Sequence, residues 1–477
     1  MSIILSVWAI YNDPTINNDG LIYLKSAEYY IDGQWGKGFE LWRWPFFPWL
    51  LSVIGIVTSL SPEYSAYILN TLLWAIVIVS FIALIKELGG KTEHLVAAAI
   101  IILVFTKIND YRDYIIRDAG YIAFYLLSFL FFIRFSRENS WKNAIIWSAC
   151  MIVATLFRSE GFAFLALMPL ILLLDSKRTI KNRLYNYLKA NALFITASVL
   201  IFITLSSIGS SITNFDPGIK LMSYIQSFGG EFSNKVDIIN KYVLNRFSHQ
   251  YDWLVALLTI LVILIAKIVT TLGILYGPLF IHGLYTKAYT PRVNDRNVWL
   301  WLIGINIIIL LIYISINFFL TGRYVLALVL TMMMVTPFSL IRIFHQWKAN
   351  KLSSHKSQKY IYPLVILLMI YMAVDGLVST GPSKKYIKEA GLWIKENIAT
   401  ESSVYSNDPI INYYAGKEYI YPFPIELSEA TVKYDYTAVR IKRKKPELKT
   451  KAINEIKTEP IKTFKNKRGD LILLFKN

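Results

Sequence analysis

Charge, cysteine and histidine are scarce in this sequence. Of its 477 residues, 17% are Asp, Glu, Lys or Arg, whereas a soluble domain carries about a quarter. The single cysteine, Cys150, excludes a disulfide framework, a thiolate metal site or a cysteine redox pair within one chain. The five histidines are scattered, and no HExxH, CxxC, GxxxxGK(S/T) or GxSxG motif occurs. The sequence therefore lacks the motifs that define a zinc hydrolase, a P-loop ATPase or a serine hydrolase.

Apolar residues are abundant instead, and they come in long uninterrupted blocks. They make up 55% of the chain, without the alternation of a β-barrel or the heptads of a coiled coil. Runs that reach or approach the roughly 17 to 25 residues needed to cross a bilayer lie at 65–85, 92–107, 119–135, 142–157, 160–175, 189–208, 268–285, 299–317, 320–341 and 360–378. The run from Met1 to Tyr11 is shorter, and we interpret it as a truncated first helix. The sequence thus predicts an all-α polytopic membrane protein with about 11 transmembrane helices.

The apolar stretch from Trp44 to Leu60 opens with WPFFPW, whose prolines cannot donate backbone hydrogen bonds inside a helix. We therefore predict an interfacial helix there rather than a crossing. With that choice, the loops on one side of the membrane hold 18 Lys and Arg against five acids. The positive-inside rule makes that side cytoplasmic and the other side periplasmic or lumenal. We therefore attribute the net charge of +18 to basic loops on the cytoplasmic side of a cell (inner) membrane. The charge does not indicate nucleic-acid binding.

Two outer loops are long, 12–64 and 209–252, and long loops on a tightly connected bundle usually carry function. After the last span, residues 379–477 have a soluble composition, with a predicted helix (KKYIKEAGLWIKENI), short strands (SSVYS and LILLF) and a charged connection (RIKRKKPELKTK). We expect two domains: a transmembrane domain, 1–378, and a small C-terminal α/β domain on the outer face, 379–477, joined at a Gly381–Pro382 break.

Two acidic residues stand at helix starts in consecutive outer loops. Asp19 precedes an amphipathic helix, where a carboxylate at the water–lipid boundary can accept a proton from a substrate hydroxyl or amine. Asp118 opens the next predicted span, where ionisable residues tend to be functional. Either acid can instead be a helix cap, and Asp118 can pair with Arg117.

Basic residues form the second signal. Arg158 and Glu160 occupy a turn between two apolar blocks, in LFRSEGFAF, and Arg323 and Tyr324 begin a late span, in GRYVLAL. A guanidinium at the outer interface can bind a phosphate through paired hydrogen bonds. The alternatives are that Arg158 pairs with Glu160, and that either arginine snorkels at a helix end.

The order of these motifs along the chain resembles that of a known class. NDGLIYLKSAEYY, WPFFPWLLSVIG, RDAGYIAFYLL, LFRSEGFAFLALMPLILLL and GRYVLAL follow one another before a soluble tail. The sequence resembles the GT-C class of membrane glycosyltransferases, and its pattern is similar to the glycosyltransferase 39-like group, which includes protein O-mannosyltransferases and the lipid A aminoarabinose transferase.

This resemblance implies transfer of a sugar from a polyprenyl-phosphate carrier to a glycolipid, polysaccharide or protein acceptor on the outer face, with inversion at the anomeric carbon. By the family pattern, Asp19 corresponds to the catalytic acid of the first loop and Asp118 to the acid of the second. The residues that correspond to substrate- or phosphate-binding positions are Arg117, Arg158, Glu160, Arg323 and Tyr324. Gly20 stands where protein-mannosylating members carry a second acid, which argues against that activity.

The expected partners are the lipid-linked donor, the acceptor and membrane lipids, with no nucleic acid. No metal site is predicted, but the resemblance leaves a divalent cation open because some GT-C enzymes use one. Two other functions remain open. Lys267 and Asp375 in apolar stretches favour a transporter or flippase of lipid-linked sugars, although no internal repeat is apparent. A non-catalytic membrane scaffold is the other.

Overall fold

A computed structural model describes residues 1–207, 217–289, 293–350, 358–378, 384–420 and 426–477 of the chain. The α-helices, in chain order, are α1 Ser2–Asn12, α2 Asn18–Ile31, α3 Trp35–Leu41, α4 Phe46–Thr58, α5 Pro62–Glu87, α6 Thr92–Leu103, α7 Thr106–Asn109, α8 Asp118–Glu138, α9 Trp141–Phe157, α10 Gly161–Leu167, α11 Ile180–Ser207, α12 Pro217–Tyr242, α13 Asp252–Tyr285, α14 Val293–Asn317, α15 Gly322–Met333, α16 Thr336–Asn350, α17 Gln358–Leu377, α18 Lys385–Asn397, α19 Pro409–Tyr414, α20 Leu427–Lys433 and α21 Glu447–Ile456. Two 3-10 helices, Met168–Leu174 and Arg246–Tyr251, and four strands, β1 Val404–Ser406, β2 Tyr436–Ile441, β3 Lys462–Lys465 and β4 Leu471–Lys476, complete the described elements.

Several of the described helices are long and apolar enough to cross a membrane, as a helical membrane protein requires. These five stretches are Pro62–Glu87, Asp118–Glu138, Arg246–Tyr285, Asn294–Asn317 and Tyr360–Leu377. The pair α15 and α16, bent by 45° at a short break, makes a sixth when it counts as one span. Shorter apolar helices fall on some of the other expected spans, such as α6 and α9. The count of about 11 spans stays a prediction.

The WPFFPW stretch forms α4, a helix of 13 residues. At 1.5 Å per residue it is about 20 Å long, less than a hydrocarbon core of about 30 Å. Pro45 precedes the helix and Pro48 lies in its first turn, where a missing N–H leaves no hydrogen bond unmade. The two prolines therefore start this helix rather than break it.

The chain divides into two compact units. The first unit comprises Met1–Ala75, Ile108–Arg117 and Met372–Asn477, and the second comprises Ile76–Lys107 and Asp118–Tyr371. The predicted division at 378 and 379 stays a prediction, and the expected Gly381–Pro382 break lies outside the described residues. So does the 209–216 part of the predicted outer loop 209–252, whose remainder contains α12 and a 3-10 helix.

In the first unit, the C-terminal part of the chain contains a four-stranded sheet of order β1-β2-β4-β3. β1 runs parallel to β2, and β4 pairs antiparallel with both β2 and β3. The apolar core beside the sheet is closed by residues of α20 and α21, among them Ala430 and Ala452. The predicted helix and both predicted strands are present as α18, β1 and β4.

The prediction of a charged connection at RIKRKKPELKTK was wrong at both of its ends. Its first residues, Arg440 and Ile441, end strand β2, and its last five belong to α21. Ile441 is buried beside the sheet, and the helix buries Ala452 and Ile456. A few apolar contacts decide these elements, while the surrounding lysines remain in solvent.

The C-terminal part packs against the first outer loop within the same unit. The Tyr414 hydroxyl accepts a hydrogen bond from Ile16 N at 3.1 Å and donates one to Pro14 O at 3.0 Å. Lys388 Nζ also donates to Pro14 O, at 3.3 Å, and the Tyr413 hydroxyl donates to Glu63 Oε2 at 3.0 Å. These contacts hold the chain just ahead of α2, the helix that carries Asp19.

In the second unit, helices joined by short turns form antiparallel hairpins. α8 and α9 are joined by two residues, and Ser140 Oγ caps α9 by accepting a hydrogen bond from Asn143 N at 3.2 Å. α14 and α15 are joined by the four residues 318–321. An antiparallel hairpin places the start of one helix beside the end of the other. Asp118 and Arg158 therefore share one end of the first hairpin, and Tyr313 and Arg323 share one end of the second.

Candidate functional site

The site in the second unit begins at Asp118, the first residue of α8. Its carboxylate is buried, with 5% of the residue exposed. Tyr121, one turn further on, lies on the same face of the helix. Between them stands Gly120, where a side-chain Cβ would lie 2.4 Å from the ring of Phe157. This glycine allows α8 and α9 to approach closely at the end that carries the acid.

Arg158 lies at the end of α9 and pairs with two carboxylates. Its Nη1 donates to Asp118 Oδ1, its Nη2 donates to Glu160 Oε1, and its Nε donates to the same Glu160 oxygen at 3.0 Å. The arginine is 5% exposed. Burial opposes its charge, but the carboxylates of Glu160 and Asp118 outweigh burial and raise the pKa of the guanidinium above its ordinary value. Arg158 is therefore a fixed cation.

The second hairpin contributes Arg323 and Tyr324 from the first turn of α15. Arg323 Nη1 lies 4.0 Å from Asp118 Oδ2, so the carboxylate of Asp118 contacts one arginine with each oxygen. The guanidinium of Arg158 lies over the Tyr324 ring, 4.3 Å from its centroid. The Tyr313 ring packs edge-on against Tyr324, with centroids 4.8 Å apart. These contacts bring the two hairpins together around a group of charges.

A cavity opens beside these charges, with an empty volume of about 420 Å³. Its lining residues are Tyr121, Arg158, Glu160, Asn306, Ile309, Leu310, Tyr313, Arg323, Tyr324 and Ala327. The two arginines balance Asp118 and Glu160 in formal charge. Glu160 has 27% of its side chain exposed, against 6% for Arg158, so a ligand that enters the cavity meets Glu160 at its surface and Arg158 at its base.

A layer of neutral hydrogen bonds lies below the charged group. The Tyr125 hydroxyl lies 2.9 Å from Thr331 Oγ1 and accepts a hydrogen bond from Asn306 Nδ2 at 2.8 Å. The Trp299 ring nitrogen donates to Thr331 O at 2.9 Å. All four residues are buried. A buried network with these bonds made rigidifies its surroundings, so the layer holds α8, α14 and α15 in one arrangement beneath the cavity.

Gly161, which follows Glu160, offers a test of how tightly the site is packed. A Cβ at this position would lie 2.8 Å from the backbone N and Cα of Thr155, atoms that cannot turn away. We expect Gly161→Ala to lower the free energy of unfolding by about 1–3 kcal/mol, measured as thermal melting of the purified protein in detergent.

The matched control is Gly304→Ala in the interior of α14, where a Cβ meets nothing within 4 Å. There the loss of glycine flexibility should leave stability equal or raise it by up to about 1 kcal/mol. Equal melting of the two variants would show that the turn at Gly161 can relax and that the close packing is not required.

Asp19 and Arg117 belong to the first unit. Asp19 lies in the first turn of α2 and is partly exposed. The residues just before it are tied to the segment that carries Arg117: Ile115 N donates to Asn17 Oδ1 at 2.8 Å, and Asn17 Nδ2 donates to Ile115 O at 3.3 Å. The guanidinium of Arg117 lies 5.1 Å from the centroid of the Trp42 ring. Within this unit, these two hydrogen bonds therefore join the residues just before Asp19 to those just before Arg117.

The sequence predictions brought together in the second unit are thus Asp118, Arg158, Glu160, Arg323 and Tyr324. Sequence reasoning missed Tyr121, Asn306 and Tyr313, which also line the cavity. Tyr121 had a visible signal, because it follows Asp118 at helical spacing. Asn306 and Tyr313 lie within an apolar helix, and only the pairing of α14 with α15 and α8 reveals their place. Among the described residues, no group of three or more His, Cys, Asp or Glu side chains is placed to hold a metal ion.

Comparison with known proteins shows a likeness of structure. No protein-family model and no curated protein sequence matches the chain. ArnT from Cupriavidus metallidurans in the apo state aligns over 99% of this chain and 96% of its own, with a TM-score of 0.52 and 12% identity. The same protein bound to undecaprenyl phosphate covers the same shares, with a TM-score of 0.54 and 11% identity.

The apo oligosaccharyltransferase of Archaeoglobus fulgidus aligns over 89% of this chain, with a TM-score of 0.46 and 12% identity. This chain spans 61% of that protein's length. The chain has the fold of GT-C glycosyltransferases, and ArnT is one of its structural neighbours over nearly the full length. The resemblance inferred from the motifs is confirmed at the level of the fold.

Proposed function

We propose that this protein is a membrane glycosyltransferase that moves a sugar from a polyprenyl-phosphate donor to a glycolipid, polysaccharide or protein acceptor, with inversion at the anomeric carbon. The observation that carries the proposal is the cavity at one end of the bundle, lined by two arginines, a carboxylate and tyrosines. It occurs in a chain with the fold of ArnT, a protein whose solved structures include one bound to undecaprenyl phosphate.

The arginines suit the leaving group of this reaction. As the bond from sugar to phosphate breaks, negative charge grows on the phosphate, and fixed cations aimed at that charge lower the barrier. Arg158 is held rigid by Asp118 and Glu160, so it needs no reorganisation during the reaction. We assign Arg323, with Tyr324 beside it, to direct contact with the phosphate, because both lie at the start of α15 and line the cavity.

Asp19 is the proposed general base. In an inverting displacement, one base on the face opposite the leaving group suffices to take the proton from the acceptor nucleophile. Asp118 keeps the arginines in place rather than reacting, because its two oxygens face Arg158 and Arg323. Arg117 is proposed to contact the substrate from the neighbouring loop. The reaction takes place on the periplasmic face of the inner membrane, the side on which the charge pattern places both acids.

The experiment offers a panel of labelled polyprenyl-phosphate hexoses and pentoses to the full chain in lipid, with a candidate acceptor extract, and measures sugar transfer. We expect one donor to turn over, and Arg323→Ala to lower kcat/KM by about 100-fold, since it removes a charge-stabilising donor. Arg296→Ala, an exposed arginine at the start of α14, is the matched control and should retain wild-type activity.

No turnover of any donor by folded wild-type protein would contradict the proposal and favour the transporter or scaffold alternatives. Equal loss in the Arg323 and Arg296 variants would show that overall charge, not the site, affects the rate.

A further inference from the structure

A second cavity lies in the second unit, at the opposite end of α8 from the candidate site. Ser136, near the end of α8, lines it, at about 27 Å along the helix axis from Asp118. The other walls come from the 3-10 helix Met168–Leu174 and the turn after it, from Asn186 on α11 and from the first residues of α14. The cavity has an empty volume of about 710 Å³.

Its lining has a polar part and an apolar part. Lys177, Arg178 and Asn186 contribute cationic and amide groups, and Asp175 contributes a carboxylate that pairs with Arg178. Ile171 and Leu174 contribute aliphatic side chains. Leu174 is 64% exposed although it ends an apolar helix. A ligand with an anionic head and a hydrocarbon chain matches both parts of this lining.

Asn186 gives an independent indication of a ligand. The residue is 2% exposed, and its side-chain oxygen is buried without a hydrogen-bond partner among the described residues. A buried acceptor of this kind is destabilising unless a ligand or water donates to it. Because Asn186 lines the cavity, a hydroxyl or ammonium group inside the cavity is placed to make that bond.

Lys177 and Arg178 line the same cavity as Asn186, and hydrogen bonds and ion pairs fix the segments around them. Arg178 Nε lies 3.1 Å from Asp175 Oδ2, and Arg178 Nη2 donates to Ser136 O at 3.1 Å. Ion pairs from Arg137 of α8 to Asp295 of α14, at 2.6 Å, and to Glu87 of α5, at 2.7 Å, fix the neighbouring helices. Lys177 is exposed at the mouth of the cavity, where its charge can reach an entering anion.

We propose that this cavity binds the phosphate-ester headgroup of a glycerophospholipid. Lys177 and Arg178 contact the phosphate, Asn186 accepts a hydrogen bond from a headgroup hydroxyl or ammonium, and the acyl chains leave past Leu174. Basic pockets between membrane helices on the cytoplasmic side are suited to such headgroups, and the charge pattern assigns the loop 175–189 to that side. The site is separate from the proposed donor cavity and acts as a lipid anchor for the helix ends around it.

The test measures binding to the full-length protein in detergent by native mass spectrometry. The probes are phosphatidylglycerol, which offers a phosphate and hydroxyl donors, phosphatidylcholine, which offers no donor, and soluble glycerol 3-phosphate. We expect phosphatidylglycerol to bind most tightly. Lys177→Ala should weaken it about fivefold, and Asn186→Ala roughly two- to tenfold. Lys181→Ala, an exposed lysine of the same segment outside the lining, should leave it unchanged.

Equal affinity of wild type and the Lys177 and Asn186 variants for phosphatidylglycerol would overturn the proposal. Because Lys177 is exposed, its variant retains the fold. A change in its affinity for phosphatidylglycerol therefore reports on binding and not on unfolding. Binding of glycerol 3-phosphate as tight as that of the lipid would assign the cavity to a soluble phosphate ester and overturn the lipid assignment.

Discussion

Replacing Asp19 by Asn is expected to lower the rate of sugar transfer by a factor of about 10² to 10⁴, the contribution of a positioned general base. The side chains are nearly equal in size, but the amide cannot take a proton from the acceptor nucleophile. Asp19 is partly exposed at the start of α2, so the substitution changes neither the packing nor the burial of the site. We therefore expect the loss in kcat, with the melting temperature unchanged.

The matched control is Asp32→Asn at the other end of α2, where the aspartate is exposed. It makes the same chemical change on the same helix and should keep wild-type activity. The measurement is the rate of sugar transfer from the donor identified in the panel, together with thermal melting of each variant. A wild-type kcat in the Asp19 variant would remove this residue from the proposed mechanism while leaving the donor assignment standing.

Replacing Arg158 by Met is expected to lower the free energy of unfolding by about 3–5 kcal/mol, because it leaves a buried charge without its partner. Asp118 is 5% exposed and accepts a hydrogen bond from Arg158 Nη1. Arg323, at 4.0 Å, compensates only part of the lost attraction. The measurement is reversible unfolding of the purified protein in mixed detergent micelles.

Two further variants distinguish loss of the ion pair from loss of packing as the cause of the lower stability. In the double variant Asp118→Asn with Arg158→Met the buried charge is absent, so a large part of the stability should return. Arg296→Met, at an exposed position, should change stability by no more than about 0.5 kcal/mol. If the single and double variants unfold alike, lost packing explains the effect and the ion pair is not the cause.

Asp118 and Arg158 show how far local sequence can lead. A charged residue at the boundary of a long apolar block is visible in the sequence, because burying it requires a partner or a function. Arg158 and Glu160 were expected to pair as one alternative, and they do pair. The sequence could not show that Arg158 also reaches Asp118, because the partners lie 40 residues apart and meet only when α8 and α9 fold back on each other.

The C-terminal segment RIKRKKPELKTK shows where local sequence misleads. Its lysines and arginines suggested a connection, yet β2 takes its place between β1 and β4 through hydrogen bonds to strands that are remote in the chain. The basic residue of that segment within β2, Arg440, is half-buried and pairs with Asp408, and Ile441 is buried on the other face of the strand. Local propensity is a weak guide where tertiary contacts supply the stabilisation.

The sequence by itself therefore determined that this is a helical membrane protein, because apolar runs of bilayer length leave the backbone little alternative to helix. It also marked Asp118, Arg158 and Arg323 as unusual. Only the tertiary structure decided that these charges share one cavity with Tyr121, Asn306 and Tyr313. The reason is physical: hydrophobic patterning specifies each helix from nearby residues, but which helix ends meet depends on packing between segments far apart in the chain.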